Sequence, residues 1–201
     1  MLIVDFPCRS VNEYLALLAR KRHPGRLPCP FCHTLMTPWG SYTRKAQEQT
    51  IYRVRVYRQR CPSCQKTHAL LPAFLVPYSP HPAAIQETAL RATVLDGQTI
   101  EQTAERFGIA PRTLQRWRQK LAPHVASISG WFAAQLATQL PWVRQWHKPV
   151  TESFTARLRP LFDLGDLCFR SRPHLVRHGV LALFYRHGPA AVKRQLFRCL
   201  A

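Results

Sequence analysis

Two closely spaced pairs of cysteines constrain the fold of this chain more than any other feature. Cys29-Pro-Phe-Cys32 and Cys61-Pro-Ser-Cys64 share the same internal spacing, and 28 residues separate the two pairs. A C-x-x-C pair can form a tight knuckle whose two thiolates point at one ion, and Zn²⁺ takes four such sulfurs in a closed tetrahedron. The intervening length suits a β-hairpin that returns the second knuckle to the first. The spacing therefore predicts a zinc β-ribbon with one structural Zn²⁺ per chain.

Other uses of these cysteines remain open from the sequence. A C-x-x-C pair is also a redox motif, and two disulfides would also consume four thiols. His33 and His68 lie close enough to the pairs to replace a ligand, although four cysteines already suffice for one ion. The other cysteines have no partner at metal-ligand spacing, which predicts buried free thiols at Cys8, Cys168 and Cys199.

The charge of the chain indicates a polyanionic partner. Its 201 residues include 29 Lys and Arg against 10 Asp and Glu, a formal net charge of +19, and 46% of them are hydrophobic, as in a folded protein. DNA or RNA is a more natural partner for such a charge than an anionic membrane surface. No apolar run approaches the roughly 18–20 residues that span a bilayer, and the N-terminus lacks the basic start of a secretory signal. We therefore expect a cytoplasmic, nucleoid-associated protein without a membrane partner.

Composition and periodicity divide the chain into five segments. Tyr52, Val54 and Val56 alternate with Arg53 and Arg55, the period of a strand with one apolar and one basic face. The expected class is α+β: a small four-cysteine zinc β-ribbon, then a helix-turn-helix domain and a mainly helical C-terminal region. The predicted segments are an N-terminal strand and helix (1–27), the ribbon (28–71), an extended proline-rich linker (72–82), the helix-turn-helix (83–122) and the helical region (123–201).

The helix-turn-helix is predicted from helix boundary signals. Residues 83–95 have helical periodicity, and Thr99-Ile-Glu-Gln102 is a capping box that opens the next helix. Gly108 begins a three-residue turn, in which a glycine can take a positive φ. Pro111 suits the first position of the following helix, predicted over 111–121, because its missing N–H costs nothing there.

This last helix has the composition of a recognition helix. At 100° per residue, Leu114, Trp117 and Leu121 fall on one side, where they should pack on the preceding helix. The opposite side contains no carboxylate, and arginine and glutamine can read guanine and adenine in the major groove. The candidate DNA-binding residues are Arg112, Thr113, Gln115, Arg116, Gln119 and Lys120, together with Arg53 and Arg55 of the ribbon for phosphate contact. A merely solvated basic surface is the alternative for both sets.

The C-terminal third gives weaker signals. Trp131, Phe132, Leu136 and Leu140 have the helical spacing of a core stripe, or of the interface of a homodimer or other partner. His174 and His178 are one turn apart but no third metal ligand is evident. The acidic residues beyond position 123 are Glu152, Asp163 and Asp166, and the strands of an α/β nuclease core are not evident. We therefore expect no catalytic activity.

Two stretches resemble known DNA-binding regions. The segment from Cys29 to Leu71, centred on Val54-Arg-Val-Tyr-Arg-Gln-Arg-Cys-Pro-Ser-Cys64, resembles the N-terminal zinc ribbon of insertion-sequence transposases. With Gln98-Thr-Ile-Glu-Gln-Thr-Ala-Glu-Arg-Phe-Gly-Ile-Ala-Pro-Arg-Thr-Leu-Gln-Arg-Trp117 it resembles the DNA-binding front end of those enzymes. The chain from its Leu2-Ile-Val-Asp-Phe-Pro-Cys8 opening is also similar to an uncharacterised bacterial family of zinc-ribbon and helix-turn-helix proteins associated with mobile elements.

The resemblance implies that the four cysteines bind zinc and that helix 111–121 reads duplex DNA. The expected function is that of a non-enzymatic DNA-binding protein of a bacterial mobile element, in transposition or transcription regulation. Three alternatives stay open: an accessory or catalytically incomplete transposase subunit that works with a separate transposase or recombinase chain, an RNA-binding zinc ribbon protein, and a protein–protein adaptor.

Overall fold

The computed structural model describes residues 2–4, 8, 10–19, 25–137, 154–171 and 180–181. They fall into two compact units, which lie within residues 1–82 and 83–201. The first unit contains strands and one described helix, and the described part of the second is helical, so the class is α+β as predicted. None of the helices in the described part combines the length and the apolar character that a membrane crossing requires.

The first unit is built on a four-stranded sheet. Strand β1 (Leu2–Val4) pairs in parallel with β4 (Thr67–Pro72). Strand β3 (Ile51–Arg60) pairs antiparallel with β4 on one side and with β2 (Thr37–Gln47) on the other, which gives the order β1-β4-β3-β2. The long hairpin β2–β3 makes this sheet mainly antiparallel. Between β1 and β2 the chain forms helix α1 (Val11–Ala19).

The alternation in β3 decides which face of this sheet is buried. Val54 and Val56 are fully buried, whereas Arg53 and Arg55 are exposed, as the period of two predicts. Helix α1 covers the apolar face, and its Tyr14 hydroxyl donates a hydrogen bond of 3.0 Å to the carbonyl of Arg55. The core beneath the helix is therefore apolar with one satisfied buried hydroxyl.

Residues 72–82 differ from the extended linker that their prolines predicted. Phe74 and Leu75 are buried in the same core as α1, so this stretch packs on the first unit in a series of turns. The guanidinium of Arg44 on β2 donates to the carbonyl of Val76 at 3.0 Å. Prolines prevent regular structure here, but the apolar side chains between them are still driven out of water.

The second unit is a set of helices around one apolar core. Its buried residues include Leu114, Trp117 and Leu121, as predicted, and Trp131, Phe132 and Leu136 of the C-terminal stripe. Leu140 and the pair His174 and His178 lie outside the described residues. The helices are α2 (Ala83–Val94), α3 (Ile100–Phe107), α4 (Pro111–Leu121), α5 (Val125–Ala137) and α6 (Phe154–Ser171), with a 3-10 turn over Ala122–His124 before α5.

The boundaries of α3 and α4 follow the signals in the sequence. The Thr99 side chain accepts from the amide of Gln102 (3.1 Å), and the Gln102 side chain accepts from the amide of Thr99 (3.0 Å), so the predicted capping box is confirmed. Gly108 takes a φ of 61° and ends α3, and its amide reaches back to the last turn of the helix. Pro111 occupies the first turn of α4.

Thr99→Ala should lower the free energy of unfolding by about 1 kcal/mol, because one amide at the start of α3 loses its acceptor. Urea denaturation followed by circular dichroism measures this change. Thr88→Ala is the matched control: Thr88 is an exposed threonine within α2 whose hydroxyl bonds the Ala84 carbonyl, and its loss should change stability by less than about 0.5 kcal/mol. Equal effects of the two substitutions would contradict a specific role for the cap.

Candidate metal centre and nucleic-acid interface

The four predicted cysteine ligands come together at one end of the sheet. Cys29 and Cys32 precede β2, and Cys61 and Cys64 directly follow β3, so the hairpin returns the second pair to the first. The two knuckles have the same backbone design, since each second cysteine is followed by a residue in the left-handed region. Those residues are His33 (φ 60°) and Gln65 (φ 59°).

The distances between the sulfurs fit a shared metal ion. Cys29 Sγ lies 3.6 Å from Cys64 Sγ and Cys32 Sγ lies 3.3 Å from Cys61 Sγ, and all four sulfurs lie within 4.8 Å of one another. Disulfides have S–S bonds of about 2.05 Å, and these four cysteines are free thiols. In a tetrahedron with metal–sulfur bonds of about 2.3 Å the sulfurs stand about 3.8 Å apart. The cluster can therefore bind a metal ion.

The electrostatics of the cluster favour a cation at its centre. A hydrogen bond from the Thr34 amide is the main reason that the pKa of Cys32 is lowered to about 5. Burial opposes ionisation of Cys29, but the amides of Cys32 and Phe31 hydrogen-bond its sulfur and lower its pKa overall. The amide of Lys66 favours the thiolate of Cys64, yet burial and the neighbouring thiols raise its pKa to about 11. The Cys32 thiol thus ionises readily, and a cation at the centre of the cluster would also favour the thiolate of Cys64.

The two histidines near the cluster lie in different environments. His68 is buried, with its Nε2 atom 3.9 Å from Cys29 Sγ, and burial lowers its pKa. His33 is exposed on the first knuckle. The geometric group of possible metal ligands contains the four cysteines and neither histidine. Cys8 and Cys168 are buried and form no disulfide, as predicted, and Cys199 lies outside the described residues.

The exposed face of the hairpin is more basic than the sequence indicated. Arg53 lies directly opposite Lys45 of β2, and Arg55 lies opposite Thr43, with all four residues exposed on the same face. Like charges placed opposite each other across two strands are destabilising. Sequence reasoning missed Lys45 because only the register of the hairpin places it beside Arg53. An anion bound at this face would relieve the repulsion.

Helix α4 exposes the predicted polar residues. Arg112, Gln115, Arg116, Gln119 and Lys120 are exposed, and Thr113 is half-buried. Its opposite side is buried in the core of the second unit. The helix contains no acidic residue, and the exposed carboxylates of Glu101 and Glu105 belong to α3. The exposed side of α4 therefore offers cationic, amide and hydroxyl groups to a ligand and no carboxylate.

The fold and the cysteine cluster define an α+β protein with a candidate metal site and a basic helix. Comparison with known families finds that residues 29–117 are similar to a domain of unknown function, DUF6431. The matched region begins at the first cysteine of the cluster and ends at Trp117 within α4, so it includes the complete cluster and both α2 and α3. No curated protein and no solved structure matches the chain.

Proposed function

We propose that this chain is a non-enzymatic, zinc-containing DNA-binding protein associated with bacterial mobile elements, acting in transposition or in transcription regulation. In this proposal the first unit is a zinc ribbon that contacts the DNA backbone. The helices α3 and α4 of the second unit form a helix-turn-helix that reads duplex DNA. The acid-free exposed side of α4 is the observation that supports this reading most strongly.

Zinc is the metal that the donor set favours. Four thiolates at tetrahedral spacing are a closed set of soft ligands, and Zn²⁺ in such a set has a structural role because no position is left for water. Cys29, Cys32, Cys61 and Cys64 would provide the four sulfurs, with one ion per chain. The ion would join the two knuckles and so hold the open ends of β2 and β3 together.

The helix pair has the local design of a helix-turn-helix. A capped helix, a turn at a positive-φ glycine and a second helix opened by proline follow one another over residues 99–121. Buried Leu114 and Trp117 anchor α4, so its exposed side has a defined orientation. Such a helix can enter the major groove, where Arg112 and Arg116 would face guanine and Gln115 and Gln119 adenine.

The ribbon would contribute affinity rather than sequence selection. Arg53, Arg55 and Lys45 on the hairpin face are suited to phosphate oxygens, whose contacts position a protein without reading bases. The sequence between Glu48 and Glu87 contains no acidic residue to oppose this. The link to mobile elements depends on the resemblance of the ribbon and residues 98–117 to the front end of insertion-sequence transposases. A separate transposase or recombinase subunit is the partner that this link implies.

Selection of bound duplexes from a random library tests the proposal. We expect a defined sequence to be enriched, and competition with structured RNA should not displace it. On the selected duplex, Arg116→Ala should weaken binding by about 1–3 kcal/mol if Arg116 reads a base, with little loss on a scrambled duplex. Fluorescence anisotropy measures both affinities.

Arg106→Ala is the matched control, because it removes the same charge from an exposed position on α3. It should weaken binding to both duplexes slightly and equally. An equal loss on all sequences with Arg116→Ala would assign Arg116 to a phosphate. No enriched sequence, or preferential binding to structured RNA, would contradict the proposed function.

A further inference from the structure

Two aromatic rings next to the cysteine cluster are exposed to an unusual degree. Phe31 lies inside the first knuckle and is 62% exposed, and Trp39 on β2 is 51% exposed. The small core beside the cluster is formed by Cys29, Met36 and Cys61, so neither ring contributes to it. Fully burying such a ring stabilises a fold by about 1.5–3 kcal/mol, and neither Phe31 nor Trp39 makes this contribution in full.

Each ring is paired with a cation. The Nζ atom of Lys66 lies 3.6 Å from the centroid of the Phe31 ring, and the guanidinium carbon of Arg60 lies 4.5 Å from the Trp39 ring. Cation–π contacts of this kind are favourable by about 0.5–1 kcal/mol at exposed sites. They keep both cations beside the rings, and both aromatic residues stay more than half exposed.

One hydrogen bond connects the two pairs. Arg60 Nε donates a hydrogen bond of 3.4 Å to the carbonyl of Gln65, whose neighbour in the chain is Lys66. We call this surface the knuckle ridge; its residues are Phe31, Trp39, Arg60, Gln65 and Lys66. Its order is the Phe31 ring, the Lys66 and Arg60 cations, and then the Trp39 ring.

A bulge in β2 places Trp39 on the ridge. The register of the β2–β3 pair shifts between Pro38 and Ser41, and Gly40 within the shift has a φ of 99°. Bulges often redirect a side chain, and a glycine permits this backbone conformation. The exposed indole therefore follows from a built irregularity of the strand.

The chemistry of the ridge identifies the class of ligand. Exposed rings offer flat π-faces, and the cations beside them attract anions, so a matching ligand combines planar groups with closely spaced negative charges. A single nucleic-acid strand has this composition, and its free bases stack on aromatic side chains in a sequence-tolerant manner. A duplex is a poorer match because its bases are already stacked inside the helix.

We propose that the knuckle ridge binds unpaired nucleotides of single-stranded DNA. Phe31 and Trp39 stack on bases, and Arg60 and Lys66 contact the adjoining phosphates. This binding is distinct from the proposed duplex recognition by α4, since it needs bases that are not paired. It would allow the first unit to bind an opened or frayed strand.

The test uses the zinc-loaded chain of 201 residues with Arg112→Ala and Arg116→Ala, so that the two arginines on the proposed duplex-reading side of α4 do not contribute. Anisotropy of a fluorescein-labelled oligothymidylate reports single-strand affinity. Phe31→Leu and Trp39→Leu keep apolar bulk but remove the aromatic face, and each should weaken binding by roughly 5- to 150-fold. Tyr78→Leu is the matched control, because Tyr78 is 97% exposed in the same unit but outside the ridge; its affinity should not change.

Two further measurements separate stacking from a structural role. Oligothymidylate should quench a tryptophan signal that is absent in Trp39→Phe, while that variant keeps most of its affinity. Lys66→Ala and Arg60→Ala should each reduce the salt dependence of binding, log K against log [salt], by about 0.7. Zinc content is measured in every variant.

Unchanged oligothymidylate binding in the Phe31→Leu and Trp39→Leu double variant, with zinc retained, would overturn the proposal. So would an equal loss in Tyr78→Leu. A failed duplex selection would not decide this proposal, because single-strand binding is measured in a chain that lacks Arg112 and Arg116.

Discussion

Replacing Cys61 and Cys64 together with serine should remove about one zinc ion per chain and unfold the region around the two knuckles. Two of the four sulfurs would be lost, and two thiolates do not complete a tetrahedral site. The buried cluster beneath them is small, comprising Cys29, Met36 and Cys61. Apolar burial of this size is far weaker than a structural zinc site, which contributes roughly 10–16 kcal/mol of apparent binding free energy.

Metal content by mass spectrometry and zinc release to a colorimetric chelator measure the effect. Cys168→Ala is the matched control, since Cys168 is a buried cysteine of the second unit and its loss should leave the zinc content at one per chain. A strong chelator should reproduce the double variant in the wild-type chain. Unchanged metal content in the cysteine variant would refute zinc binding at this cluster.

Loss of zinc should also disrupt the knuckle ridge. Phe31 belongs to the first knuckle and Lys66 follows the second, so their contact depends on the two knuckles staying together. The single-strand affinity of the cysteine double variant should therefore fall at least as far as that of the ring variants. The proposed duplex recognition by α4 uses residues of the second unit, so we expect the cysteine double variant to affect it less.

Arg91→Ala should lower the free energy of unfolding of the second unit by about 3–5 kcal/mol. The Arg91 side chain donates to Glu87 at 3.0 Å and makes two hydrogen bonds, of 2.9 and 2.8 Å, to Asp166 of α6. Glu87 is buried, and its other oxygen accepts from the amide of Leu181. Without Arg91, the buried Glu87 carboxylate would have no cation beside it, and this accounts for most of the expected loss in free energy of unfolding.

Two variants show where this loss arises. Asp166→Asn should cost at most about 1 kcal/mol, because the Asp166 side chain is 52% exposed and water screens its pairing with Arg91. Adding Glu87→Gln to Arg91→Ala should restore about 0.5–3 kcal/mol, since the uncompensated charge is removed. Urea denaturation at neutral pH measures all three variants.

The pH dependence provides a further check. Burial raises the pKa of Glu87 above its usual range, and Arg91 opposes that rise. In Arg91→Ala the Glu87 carboxyl should bind a proton more tightly in the folded state than in the unfolded chain. The loss in free energy of unfolding should therefore be largest at neutral pH. It should become smaller as the pH falls toward the ordinary glutamate pKa of about 4.3. A deficit that is equal at pH 7 and pH 5 would instead assign the loss to packing of Arg91 on Phe162.

Features that depend on neighbours along the chain could be predicted from the sequence. The C-x-x-C spacing forms each knuckle locally, and the Thr99 capping box, Gly108 and Pro111 set the ends of α3 and α4 through hydrogen bonds and φ values within a few residues. The alternation in β3 likewise predicts its buried face, because successive strand residues point to opposite sides.

Tertiary structure decided the features that join distant residues. The hairpin register sets Lys45 opposite Arg53, the bulge exposes Trp39 beside Arg60, and the core of the first unit buries Phe74 in a stretch that its prolines marked as a linker. Arg91 and Asp166 are 75 residues apart in the chain yet form a bidentate pair. Such contacts depend on how whole strands and helices pack, and the spacing of residues along the chain does not predict that packing. The sequence by itself thus determined the four cysteines that cluster and the helix boundaries, whereas the fold determined which charged and aromatic side chains lie beside one another.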